Sequence, residues 1–150
     1  MNRIEEVKIK DCIIGNRTRI IQPVNLYGCK LAEDVFIGPF VEIQSGVTVG
    51  RLTKIQSHSF ICEMVEIGEQ CFIGHGVMFI NDTFATGGPA RGDKSKWRKT
   101  VVGNNVSIGS NATILPVTIC SDVVIGAGAV VTKTIATPGV YAGNPAKKLR

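Results

Sequence analysis

Aromatic side chains are scarce: Phe, Tyr and Trp together make up 6% of the 150 residues. A core of this size ordinarily leans on aromatics for its buried area. The interior must therefore be assembled from Ile, Val and small residues, and 17 glycines are available for it. No run of about 18 apolar residues occurs, which excludes a membrane-spanning helix. The opening Met1-Asn2-Arg3-Ile4-Glu5-Glu6 lacks the apolar stretch of a secretory signal. The cysteines (Cys12, Cys29, Cys62, Cys71, Cys120) are odd in number and form no CxxC pair. That is the pattern of reduced, buried thiols in a cytoplasmic protein. The net charge of +5 is modest. This argues against nucleic acid as a partner and suits a small phosphate-rich ligand. With 44% hydrophobic and 19% charged residues the chain reads as one soluble globular domain, residues 1–150.

What the sequence does have is a repeat. Leu31, Ile37, Ile43, Val49, Ile55, Ile61, Ile67, Ile73 and Phe79 recur every sixth residue. Four residues after each comes a small or β-branched side chain, from Val35 through Val41, Val47, Thr53 and Ser59 to Thr83. The phase returns at Val102, Ile108, Ile114, Ile119, Ile125 and Val131, with one five-residue step before Ile119. It also extends upstream through Leu26 and Ile20 to Ile14. A period of six fits neither a helix nor a single strand. It fits a short flat strand plus a corner, three of which close a triangular coil of 18 residues. Such coils stack and hydrogen-bond to their neighbours.

These residues resemble the hexapeptide-repeat acyltransferase superfamily, whose pattern is aliphatic-small-x-x-small-x, over roughly residues 13–146. The resemblance implies an all-β fold, a left-handed parallel β-helix. The handedness comes from the resemblance, since ordinary crossovers are right-handed.

Two segments depart from the repeat. Residues 85–100, Ala85 through Thr100, break the phase and are expected to form an ordered loop projecting from the prism. In the family such a loop walls an active site shared with a neighbouring subunit; a tolerated surface insertion is the plain alternative. Residues 135–150 are expected to leave the repeat as a tail ending Ala142-Gly143-Asn144-Pro145-Ala146-Lys147-Lys148, which resembles the GNPA tail of coenzyme A-dependent members. The charged residues through Asp11 are expected to cap the open first coil.

Stacking maps a candidate site. Glu63 and Asn81 differ by 18 and should lie one above the other, about 4.8 Å apart. Asp82 follows at the root of the loop. His75, and His58 one coil below it, are expected near the same corner. Taken singly, polar side chains at outward positions are ordinarily just solvated. The runs Ile55-Gln56-Ser57-His58-Ser59-Phe60-Ile61-Cys62-Glu63 and Gly74-His75-Gly76-Val77-Met78-Phe79-Ile80-Asn81-Asp82 resemble a narrower group. That group comprises the N-acetyltransferases of nucleotide-linked 3-amino sugars in surface-polysaccharide pathways. There the residues matching Glu63, Asn81 and Asp82 surround the acceptor amine.

The resemblance implies acetyl transfer from acetyl-CoA to a sugar amine, without a metal, by a homotrimer with its sites between subunits. Asn81, with Asp82 or Glu63, would orient the neutral amine, and a backbone N–H would stabilise the thioester oxygen. His75 is the remaining candidate base. Gly109 and Gly126 are small where a ligand would approach the main chain. Ser110 and Ala127, which follow them, are candidates for contacts with pantetheine. Lys133, Pro145 and Lys148, with Lys147 and Arg150, are candidates for coenzyme A, although exposed lysines are ordinary. Trp97 suits either a neighbouring subunit or a nucleotide base. Lys94, Lys96, Arg98 and Lys99 beside it also suit a solvated loop.

Three other readings remain. A zinc hydratase of the γ-carbonic anhydrase kind shares the fold but needs three His per metal, and the chain has two. A non-catalytic solenoid would give the loop and tail no purpose. An O-acetyltransferase uses a His at the loop root, where Asn81-Asp82-Thr83-Phe84-Ala85 has none; an acyl-carrier-protein donor is a further variant.

Overall fold

The computed structural model describes residues 1–150. Each inward aliphatic lies in a strand of two to four residues, too short to twist far. Corresponding strands of successive coils pair in parallel into three sheets, A, B and C. Sheet A runs from Ile9–Lys10 through Phe60–Ile61 and Met78–Phe79 to Val130–Val131. Sheet B runs from Ile13–Ile14 through Val65–Ile67 and Thr100–Val102 to Thr118–Ile119. Sheet C runs from Arg19–Ile20 through Phe72–Ile73 and Ser107–Ile108 to the C-terminus. The chain is an all-β left-handed β-helix without an α-helix; a single 3-10 turn, Lys94–Lys96, lies in the loop.

The register keeps like on like. Ile37 pairs with Ile55, Ile55 with Ile73, Ile73 with Ile108 and Ile108 with Ile125. Leu26, Ile43, Ile61, Phe79 and Ile114 form the matching column on sheet A, all essentially buried. Each such side chain contributes about 1.5–3 kcal/mol of hydrophobic burial, so a stack of Ile and Val does the work that aromatics do elsewhere.

The corners need left-handed backbone. Asp34, Leu52, Gln70, Asn105 and Asp122 take it on the B–C edge, and Phe40, His58, Gly76, Asn111 and Gly128 on the C–A edge. This conformation costs an L-residue about 1–2 kcal/mol. Corner-to-corner bonds hold it in place, such as Gln70 N–H to Arg51 O at 2.8 Å and Asn111 N–H to His75 O at 2.8 Å.

Three boundaries differ from expectation. Thr100 is fully buried and already in sheet B, so the loop ends at residue 99. The chain does not leave the repeat at Ile135. Ile135 bridges to Ile119, and Gly139–Ala142 pairs in parallel with Val123–Ile125. Lys147–Lys148 then returns antiparallel on Gly139–Ala142, while Ala146 N–H reaches Val130 O at 2.8 Å and packs on the core. The GNPA segment is thus the bend of a hairpin that closes the end of the prism. At the other end, Ile9–Lys10 is itself the first strand, and residues 1–8 form no strand and are exposed. They do not cover the first coil, so Ile13 and Ile14 remain exposed.

Candidate functional site

The loop leaves sheet A after Phe79 and rejoins sheet B at Thr100, so it stands on the A–B edge. Asn81 clasps its two ends. Its backbone oxygen accepts from Arg98 N–H at 2.8 Å, and its Nδ2 donates to the Glu63 backbone oxygen at 3.1 Å. The stacking of these residues 18 apart is as expected. Asn81 is 9% exposed, and its Oδ1 makes no hydrogen bond within the chain.

The two carboxylates of the edge are engaged. Lys94 Nζ reaches back from the loop to Glu63 Oε1 at 2.8 Å. Asp82 Oδ1 accepts from Phe84 N–H at 3.0 Å, and Oδ2 accepts from Ala90 N–H at 2.7 Å. Asp82 therefore organises the loop's own backbone, a role that short polar side chains commonly take in turns. A further polar chain runs down the edge: Glu63 N–H donates to Gln44 Oε1 at 3.2 Å, and Gln44 Nε2 to Glu42 Oε2 at 3.2 Å. Sequence reasoning missed Gln44: it lies 19 residues before Glu63, and the 18-residue stacking rule sets it beneath Cys62 instead.

An open groove of about 570 Å³ runs between the loop and the outer face of sheet A. Phe60, Ile80, Leu115, Phe84 and Trp97 make its walls, with Asn81 and Asp82 at its edge. A smaller hollow of about 240 Å³ lies within the loop, lined by Thr86, Ser95, Lys96 and Arg98. Asp82 and Trp97 line both. Cys62 also faces the groove, but burial pushes its thiol up to about 12, so it holds its proton at neutral pH.

His75 does not join this cluster. It sits on the C–A edge, between Phe72–Ile73 and Met78–Phe79, exposed, with Nδ1 2.9 Å from Ser57 Oγ. The reason is arithmetic. Residues six apart occupy adjacent corners, and only residues a full coil apart share one. His58 lies on the same C–A edge, its ring 4.8 Å from that of Phe40.

The C-A edge brings together a different set. Ser110 and Ala127 stack above His75: Asn111 N–H donates to His75 O and Gly128 N–H to Ser110 O, both at 2.8 Å. The N–H groups of His75, Ser110 and Ala127 take no part in the coil-to-coil bonding. They form a row of donors along the prism. The small size of Gly109 answers to packing as well. A Cβ there would lie 2.4 Å from Ala127 N, in the coil above. Lys133 is exposed on the A–B edge beyond Val130–Val131, and Pro145 and Lys148 are exposed in the terminal hairpin, whose bend crosses the C–A edge above Ala127: Val130 N–H donates to Gly143 O at 2.9 Å and Ala146 N–H to Val130 O at 2.8 Å. No group of three or more His, Cys, Asp or Glu side chains is placed to hold a metal. No helix is long and apolar enough to cross a membrane.

Two family models match, and they stop on either side of the loop. "Bacterial transferase hexapeptide (six repeats)" matches residues 28–63, and "Hexapeptide repeat of succinyl-transferase" matches residues 99–133. The chain is a hexapeptide-repeat protein. Among curated relatives, this hexapeptide-repeat protein is 35% identical over 126 residues to the bifunctional protein GlmU of Acinetobacter baumannii. The match covers 83% of the chain but 25% of the relative. Among solved structures, a galactoside acetyltransferase in complex with coenzyme A aligns at 30% identity and a TM-score of 0.68, over 80% of this chain and 63% of that one. A GDP-perosamine N-acetyl transferase of Caulobacter crescentus, in complex with CoA and GDP-perosamine, aligns at 20% identity and a TM-score of 0.69. That alignment covers 92% of this chain and 57% of that one.

Proposed function

We propose that this hexapeptide-repeat protein is an acetyl-CoA-dependent N-acetyltransferase acting on the amino group of a nucleotide-linked amino sugar, of the dTDP- or UDP-3-amino-dideoxyhexose class, in surface-polysaccharide synthesis. It works in the cytoplasm, where its five free thiols stay reduced. The observation that carries this reading is the unpartnered Asn81 Oδ1 at the groove, on an edge where Asp82 and Glu63 are already engaged. An amide oxygen accepts a hydrogen bond but is no base. That suffices for a neutral amine, which needs only orientation before it attacks the thioester. The C–N bond forms as the C–S bond breaks, and the departing thiolate takes the proton. A hydroxyl would need a base at the same place.

The donor fits the other edge. Pantetheine laid along the C–A edge meets the row of N–H donors at His75, Ser110 and Ala127, which can stabilise charge on the thioester oxygen. At about 3.3 Å per residue the two edges of one chain stand roughly 15–20 Å apart. Reaction therefore requires the C–A edge of one subunit to face the loop-bearing edge of another, as in a homotrimer with sites between subunits. The perosamine enzyme of the same fold carries both CoA and a nucleotide-linked sugar, which supports the pairing of substrates.

One observation favours a second reading. The Ser57 bond at His75 Nδ1 fixes the imidazole and leaves Nε2 without a partner in the chain, as O-acetyl transfer would use it. A thiol-release assay with acetyl-CoA separates the two. Turnover is expected with dTDP- or UDP-linked 3-amino sugars and not with their 3-hydroxy counterparts. The opposite preference, abolished by His75→Ala, would establish the second reading instead.

A further inference from the structure

The loop carries an uneven charge. Arg91, Lys94, Lys96, Arg98 and Lys99 stand against Asp93 alone between residues 83 and 99. Two of these cations are tied to the prism, Lys94 to Glu63 at 2.8 Å and Lys99 to Glu66 at 2.7 Å. The two that line the hollow, Lys96 and Arg98, have no carboxylate partner; Lys96 Nζ lies 3.5 Å from Thr86 Oγ1. The nearby carboxylates are turned to other donors. Asp82 accepts from Phe84 and Ala90 N–H, and Asp93 from the Ser95 N–H and hydroxyl.

Trp97 stands beside these cations, half-buried, and lines the groove as well. The hollow, at about 240 Å³, is smaller than the roughly 300–1,000 Å³ of a usual ligand pocket, but hollow and groove together fall within that range. The pair suits a two-part ligand with a compact anionic piece and an aromatic ring at one end, and a reacting group near Asn81 at the other.

We propose that the hollow binds a nucleoside diphosphate, with Lys96 and Arg98 on the phosphates and Trp97 stacked on the base. Guanidinium and ammonium donors form strong charge-assisted bonds to phosphate oxygens, and an indole face stacks on any base. This deepens the acceptor reading above and rests on it for the source of the nucleotide. Coenzyme A carries the same chemistry in its adenosine diphosphate moiety, so the test has an arm for each source.

Trp97 is the single tryptophan, so its fluorescence reports on this place alone. Titration of the full chain with dTDP or UDP is expected to quench it saturably. Lys96→Ala and Arg98→Ala are each expected to weaken binding by about tenfold while leaving the melting temperature unchanged, as both side chains are exposed. Quenching by dTDP that persists in saturating CoA assigns the hollow to the acceptor; quenching by CoA that excludes dTDP assigns it to the donor. No quenching by either, or equal affinity in the Lys96→Ala/Arg98→Ala double variant, overturns the site. Thiol release with a 3-amino sugar would still proceed in that case, so this inference and the N-acetyltransferase reading fail separately.

Discussion

Lys94 Nζ lies 2.8 Å from Glu63 Oε1, joining the tip of the loop to the wall it stands on. The ammonium also lies 5.6 Å from the Trp97 ring centroid. The acid at the predicted site is therefore a tether for the loop. Lys94 is 66% exposed, so the pair adds little to global stability, less than about 1 kcal/mol. Lys94→Ala should leave the melting temperature within about 2 °C while trypsin cleavage at loop sites such as Arg91 and Lys96 quickens severalfold. Unchanged cleavage would mean that the loop holds its place without this contact.

Asn81→Ala removes the unpartnered amide oxygen at the groove and strands the Glu63 carbonyl. Loss of that bond costs about 1–3 kcal/mol, which a large β-helix core tolerates. Turnover with an amine acceptor should fall about 100-fold, with the circular dichroism spectrum intact. Wild-type turnover in the folded variant would remove Asn81 from the mechanism.

Gly109 tests whether packing or ligand approach governs the glycine on the C–A edge. A Cβ at Gly109 would lie 2.4 Å from Ala127 N, whereas one at Gly128 meets nothing within 4 Å. Gly109→Ala should cost at least about 1–3 kcal/mol by overpacking in urea unfolding. Gly128→Ala should cost only the roughly 1 kcal/mol of its left-handed backbone. Equal losses would show that the neighbouring coil yields freely at Gly109.

The cysteines divide by burial. Desolvation raises the thiols of Cys29 and Cys62 to about 12 and raises that of Cys71. Cys12 and Cys120 are partly exposed. The thiolate is the reactive form, and below a thiol's pKa its population rises tenfold per pH unit. At pH 8 a disulfide reagent should therefore titrate Cys12 and Cys120 first. Cys29, Cys62 and Cys71 should react more slowly, and faster as pH rises. Five thiols reacting at one rate in the folded protein would contradict the buried column.

The prism was legible because its cause is periodic. An aliphatic at every sixth residue can be buried by all three sheets only if each coil sits on the last. Ile37, Ile55, Ile73, Ile108 and Ile125 accordingly fell into register across the loop and across the five-residue step. The same arithmetic placed Glu63 beneath Asn81. It was misapplied to His75, which is six residues from Asn81 and so occupies the adjacent corner.

What the amino-acid order determined by itself was the repeat, the inward columns and where the loop must leave, since these depend on spacing along the chain. The tertiary structure alone decided which polar groups are left for chemistry. Asp82 turned to Ala90 N–H eight residues away, and Glu63 to Lys94 thirty-one residues away, leaving Asn81 Oδ1 facing the groove. Hydrogen-bond partners are chosen by proximity in space, and in a loop without periodicity nothing in the sequence encodes that proximity.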